Sequence, residues 1–137
     1  MIAVSACLAG MKCRYDGNDN EIKEIVELVK LNKAILICPE QLGGMQTPRK
    51  PCEIRNNRVI DKDEIDRTKE FKKGAQEALK ICKLYGIKKA ILKANSPSCG
   101  NGCIYDGTFS GKKISGNGVT ANLFVSNGIE VKTEKEL

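Results

Sequence analysis

The chain reads as a single α/β domain of the Rossmann-like kind, with about four mostly parallel strands and helices on both faces. Three observations predict this. Short apolar runs at Ile2–Ala6, Ala34–Ile37 and Ala90–Leu92 alternate with stretches of helical periodicity, the pattern that builds a parallel sheet. Each run is followed by a turn that carries a cysteine, namely Cys7, Cys38 and Cys99, which is where open α/β sheets place their sites. The 137 residues contain no linker-like tract, low-complexity segment or internal repeat, so one domain spanning 1–137 with a modest core is expected.

Taken in order, the first strand delivers Cys7 into a turn that runs through Cys13 and Arg14 to Asp16-Gly17, a strong turn signal. From Glu21 to about Asn32, Ile22, Ile25, Val26 and Val29 recur at helical spacing, with Glu21, Lys23, Glu24 and Glu27 on other faces. This is an amphipathic crossover helix, and with Ala34–Ile37 it closes a right-handed strand-helix-strand unit. Cys7 and Cys38 are therefore expected at one edge of the sheet. The stretch from Cys38 to Glu53 holds three prolines and a glycine pair and reads as an irregular binding loop. Arg58–Ile60 reads as a short edge strand. A long helix is predicted from Asp66 or Thr68 to Tyr85, with Phe71, Ala75, Ala78, Leu79 and Cys82 on its apolar face and Gly86 as terminator. The glycine- and serine-rich segment from Ala94 to Asn117 reads as loop that can wrap a ligand. A short helix over Val119–Ser126, a last strand at Ile129–Val131 and a frayed charged tail from Lys132 complete the order.

Composition narrows the chemistry. Lysine and arginine exceed aspartate and glutamate by 23 to 17, which suits an anionic ligand or simply a lysine-rich solvated surface. Aromatic residues make up 4% of the chain and tryptophan is absent, so a stacking platform for single-stranded nucleic acid is not expected. No window approaches the roughly 18 apolar residues of a membrane span, and Met1 leads straight into a strand-like run, so a cytoplasmic location and no membrane partner are expected. Seven cysteines are the dominant signal. Their odd number, in a chain able to form its own core, argues for metal or redox chemistry over a secreted disulfide framework.

Histidine is absent, and no C-x-x-C pair exists for an all-cysteine zinc site or a thioredoxin-like dithiol. Iron–sulfur clusters accept thiolates from separate loops, and Cys7, Cys38 and Cys99 at one sheet end make that geometry accessible. Cys13, Cys52 and Cys103 lie in neighbouring loops as substitutes or a fourth ligand. An iron left without a protein thiolate would be an open, soft Lewis acid suited to sulfur. Glu40, two residues after Cys38, is placed either to handle a proton beside such a cluster or to cap the next turn. Ser96 and Ser98 either bond a ligand or cap the turn before Cys99. Arg14, Arg49 and Lys93 could hold an anion or pair on the surface.

These residues carry a resemblance. Ser5-Ala6-Cys7-Leu8, Cys13-Arg14-Tyr15-Asp16-Gly17, Cys38-Pro39-Glu40-Gln41-Leu42-Gly43-Gly44, Pro48-Arg49, Lys93, Ser96-Pro97-Ser98-Cys99-Gly100 and the run Ile104 to Gly111 resemble, in one order over almost the whole chain, the thiouracil desulfidases. The resemblance implies a [4Fe–4S] cluster held by Cys7, Cys38 and Cys99, and hydrolytic, non-redox exchange of the thiocarbonyl sulfur of a thiopyrimidine for oxygen from water. It implies Glu40 as proton-handling residue and Ser96 as substrate or transition-state contact; Arg14, Asp16, Arg49, Lys93 and Ser98, in the same loops, are the expected substrate-binding residues. The implied substrate is a thiouracil base or 4-thiouridine monophosphate, with thiolated RNA left open. A non-catalytic iron–sulfur or sulfur-carrier protein is the alternative.

Overall fold

The computed structural model describes residues 1–137. Its centre is a four-stranded, wholly parallel sheet made of β1 (Ile2–Ser5), β2 (Ala34–Ile37), β5 (Lys89–Leu92) and β8 (Glu130–Thr133), in the order β2-β1-β5-β8. The chain leaves β1 toward β2 on one side and later returns to β5 on the other, so the crossover direction reverses between β1 and β5. That reversal opens a crevice at the carboxyl ends of these two strands.

Alternation along the strands decides which helix covers which face. Val4 and Ala34 pack with Ile25 of α1 (Lys23–Lys30), while Ala3, Ile37, Ala90, Leu92 and Val131 pack with α3 (Thr68–Tyr85) and α4 (Val119–Ser126) through Ala78, Leu79, Cys82, Ala121 and Phe124. Helices thus cover both faces, as the sequence predicts. Cys82 is fully buried in the α3 stripe, an apolar core residue as expected.

The segment expected to be an irregular loop after Cys38 is more regular than its prolines suggest. Pro39–Leu42 forms the short helix α2, with Pro39 at its first turn, where a missing N–H costs nothing. Cys52–Arg55 (β3) pairs antiparallel with Arg58–Asp61 (β4), so the expected edge strand is one arm of a separate hairpin. Asn56 and Asn57 turn it with φ of 51° and 61°, the twist a two-residue hairpin needs. A second hairpin, β6 (Cys103–Tyr105) with β7 (Lys113–Ser115), interrupts the glycine-rich segment.

Two glycines bring α2 against α3 at backbone contact. A Cβ on Gly74 would lie 1.8 Å from the Pro39 carbonyl oxygen, and one on Gly43 would lie 2.0 Å from that of Glu70. Only hydrogen fits at either position, so the helix carrying Glu40 is seated on α3 with no intervening side chain.

The tail is not frayed. Lys132 and Thr133 belong to β8, and Glu134–Glu136 form a 3-10 turn in which Thr133 and Glu136 cap each other. Pairing with β5 and that reciprocal cap outweigh the segment's high charge.

Candidate active site

The parallel strands end in register, and their exits bring the expected residues to one place. β1 runs into the tight turn Ala6–Ala9 that holds Cys7, β2 into Cys38 at the start of α2, and β5 into Lys93 and the turn before Cys99. Around them lies a cavity of about 420 Å³, lined by the thiols of Cys7, Cys13, Cys38, Cys52 and Cys99 together with Arg14, Glu40, Arg49, Lys93 and Ser96. That volume falls in the range of roughly 300–1,000 Å³ typical of small-molecule sites. Cys103 lies in β6 and does not line the cavity.

The thiols differ in character. Cys13, which the sequence offers as a substitute or fourth ligand, shares the cavity wall with Cys7 and Cys38. The neighbouring Cys13 thiol lowers Cys7 and brings Cys38 down to about 7, while Cys13 itself is driven up. The Gln41 amide at the start of α2 and the nearby Arg49 help to lower Cys38. The Asn20 side-chain amide donates to Cys7 Sγ at 3.6 Å, a contact to a candidate ligand sulfur that no sequence pattern announced. Burial pushes Cys99 and Cys52 up to about 12. The Cys52 thiol donates to the Lys50 carbonyl oxygen at 3.7 Å.

Glu40 and Arg49 form one unit. Arg49 is almost fully buried, and its guanidinium donates to Glu40 Oε1 (3.0 Å), Thr47 Oγ1 (3.0 Å) and the carbonyls of Gln46 (3.1 Å) and Cys13 (2.9 Å). Its donors tie α2, the loop after it and the Cys13 turn together, so it positions Glu40 instead of meeting an anion. Glu40 Oε2 has no protein partner and remains an acceptor at the cavity.

The other expected contacts divide. Ser96 Oγ accepts the amides of Ser98 and Cys99, each at 3.0 Å, so it caps the Cys99 turn and keeps its own O–H proton for a group in the cavity. Ser98 is turned away: it is buried, its hydroxyl meets Thr120 Oγ1 at 2.8 Å, and it does not line the cavity. The expectation of a substrate contact there gives way to an anchor for the start of α4. Arg14 lines the cavity but is paired with Asp16 at 3.0 Å and donates to Asn20 Oδ1 at 2.9 Å; Asp16 holds Arg14 from outside the cavity. Hydrogen bonds from Asn18, with Arg14 beside it, keep the Asp16 carboxyl low. The Lys93 ammonium meets Glu134 Oε2 at 2.8 Å. Glu53, also unforeseen, borders the cavity and accepts the amides of Gly107 (3.0 Å) and Phe109 (3.1 Å), fixing the loop beside Tyr105.

The donor set suits a group larger than one ion. Five thiols share the cavity wall, yet no three cysteine or carboxylate side chains converge closely enough to hold a single metal ion. Thiolate ligands spread around a space of this size fit a polynuclear iron–sulfur group.

Fold and site together define a small α/β protein with a thiol-lined cavity at its sheet switch point. The chain belongs to the 2-thiouracil desulfurase family, whose defining pattern matches residues 2–136. It is 44% identical to YbbK, an uncharacterised protein of Bacillus subtilis strain 168, over the whole of this chain and 97% of the relative. The solved structure of the [4Fe–4S]-dependent thiouracil desulfidase TudS superposes with a TM-score of 0.96 at 43% identity, covering 99% of this chain and 91% of that one. No helix is long and apolar enough to cross a membrane.

Proposed function

We propose that the protein is a cytoplasmic, [4Fe–4S]-dependent desulfidase that replaces the thiocarbonyl sulfur of a thiouracil with oxygen from water. The balance is hydrolytic: the thiocarbonyl and one water give the carbonyl and one hydrogen sulfide, with no electrons gained or lost. Family membership supports the reaction class. The observation that carries the site is the convergence of Cys7, Cys38 and Cys99 at three strand exits on a cavity that also holds an unshared oxygen of Glu40.

Cys7, Cys38 and Cys99 would hold the cluster. When bound, a cluster with three protein thiolates supplies one open iron as a soft Lewis acid toward sulfur. The rest falls to the chain's own side chains. Arg49 holds Glu40 Oε1 and leaves Oε2 to take a proton from the attacking water. Ser96, its oxygen already occupied by two amides, presents its O–H to a heteroatom of the pyrimidine. Asn20 bonds Cys7 Sγ and fixes that ligand's orientation. Each cation at the cavity has a carboxylate partner, Arg14 with Asp16, Arg49 with Glu40 and Lys93 with Glu134.

The test is sulfide release from 2- and 4-thiouracil and from 4-thiouridine monophosphate by the anaerobically reconstituted protein, alongside Glu40→Gln. Many turnovers by the parent, with Glu40→Gln inactive and its iron content unchanged, is the expected result. Full activity in Glu40→Gln overturns the proton role. Release that stops at one sulfide per chain points to a carrier.

A further inference from the structure

Glu134 reaches the site from the far end of the chain. Its Oε1 accepts the Ala94 amide at 2.6 Å and its Oε2 accepts the Lys93 ammonium at 2.8 Å, with the carboxylate side chain 13% exposed. Lys93 and Ala94 both line the cavity. The Lys93 amide donates in turn to Ser5 Oγ at 2.9 Å, and its ammonium also donates to the Ala94 carbonyl at 3.1 Å. The exit of β5 is therefore clamped between the exit of β1 and the turn after β8.

Glu134 is itself held. The Thr133 amide donates to Glu136 Oε1 at 3.0 Å, closing the turn that presents Glu134. A carboxylate suits the position because each of its oxygens meets a different donor. Both donors belong to the two residues that lead into the Ser96–Cys99 turn. Hydrogen bonding and the nearby ammonium hold the Glu134 carboxyl below its ordinary range against the opposing effect of burial.

We propose that Glu134 is a positioning residue of the site: it holds the Lys93 ammonium at the cavity wall and sets the backbone that carries Ser96 and Cys99. The inference rests on the desulfidase reading for its kinetic arm and on geometry alone for its labelling arm. Glu134→Gln keeps one acceptor for the Ala94 amide and loses the charge that holds Lys93.

In the reconstituted protein under anaerobic conditions, Lys93 is labelled with an amine-acetylating reagent and followed by mass spectrometry, with the exposed Lys83 as internal reference. Lys93 labelling is expected to rise about tenfold in Glu134→Gln, the loss of one charged hydrogen bond, with Lys83 unchanged. Sulfide-release kcat/KM should fall about tenfold in Glu134→Gln, yet show no further loss when the same change is made on Lys93→Ala, because glutamine keeps the acceptor for the Ala94 amide and only the link to the lysine is lost. Unchanged Lys93 labelling, or a full additional loss on Lys93→Ala, overturns the proposal. If the parent has no turnover, the desulfidase reading fails while the labelling still decides the position of Lys93.

Discussion

Gly74→Ala isolates the seating of α2 on α3. The new methyl group would lie 1.8 Å from the Pro39 carbonyl oxygen, so α2 must retreat by about 1.2 Å to reach the 3.0 Å below which real contacts do not go. Overpacking of this kind costs about 1–3 kcal/mol, and replacing a mid-helix glycine by alanine returns about 1 kcal/mol of helix propensity. The net loss is about 0–2 kcal/mol, or a fall in Tm of roughly 0–6 °C for a chain of this size. Function has no such offset. Cys38 and Glu40 move with α2, and a displacement of about 1 Å at reacting groups costs on the order of 100-fold in rate. Thermal unfolding followed by circular dichroism gives the first quantity and sulfide release from thiouracil the second. The expected pattern is a Tm lowered by no more than about 6 °C with a large fall in kcat. Parent-level kcat would refute the claim that backbone contact between these helices sets the position of Glu40, as would a large fall in Tm with kcat unchanged.

Other perturbations separate roles that the sequence left together. Ser98→Ala leaves Thr120 Oγ1 buried without its partner and should cost about 1–3 kcal/mol with KM for thiouracil unchanged; a raised KM at parent stability would return Ser98 to the substrate. In cluster-free protein, Cys38 should reach half its maximal rate of iodoacetamide alkylation near pH 7, whereas Cys52 and Cys99, whose thiols titrate at about 12, should gain reactivity only at much higher pH. Because Cys38 is lowered on folding, its contribution to stability is complete above its ordinary pKa of 9.0 and fades as pH falls through about 7. A common midpoint for all three thiols would contradict the arrangement around Cys13.

The sheet and its edge were legible because they rest on local pattern. Apolar runs ending at Cys7 and Cys38, the periodic stripe from Phe71 to Cys82 and Gly86 beyond it each carry their signal within a short stretch. The hairpins were harder. Proline and glycine near β3 and β6 hid short pairings, although Asn56-Asn57 is a turn signal that could have located the first. Long-range partners were not legible at all. Glu134 meets Lys93 across 41 residues, and in sequence it is only a charge in an acidic and basic tail. Arg49 read equally as an anion contact or a surface ion pair, because nothing local announces four acceptors drawn from three segments. Ser98 read as a ligand contact because its turn faces the site, whereas alternation within the turn sends its hydroxyl to Thr120.

The proposed reaction requires three thiolates holding one cluster, and metal analysis tests this most directly. Iron and acid-labile sulfide per chain are measured after anaerobic reconstitution of the parent and of Cys7→Ala, Cys13→Ala, Cys38→Ala, Cys52→Ala and Cys99→Ala. About four of each per chain are expected in the parent, retained in Cys13→Ala and Cys52→Ala and lost in the other three. A parent that binds no iron would contradict the cluster, and a cluster kept in Cys99→Ala but lost in Cys13→Ala would contradict the ligand set.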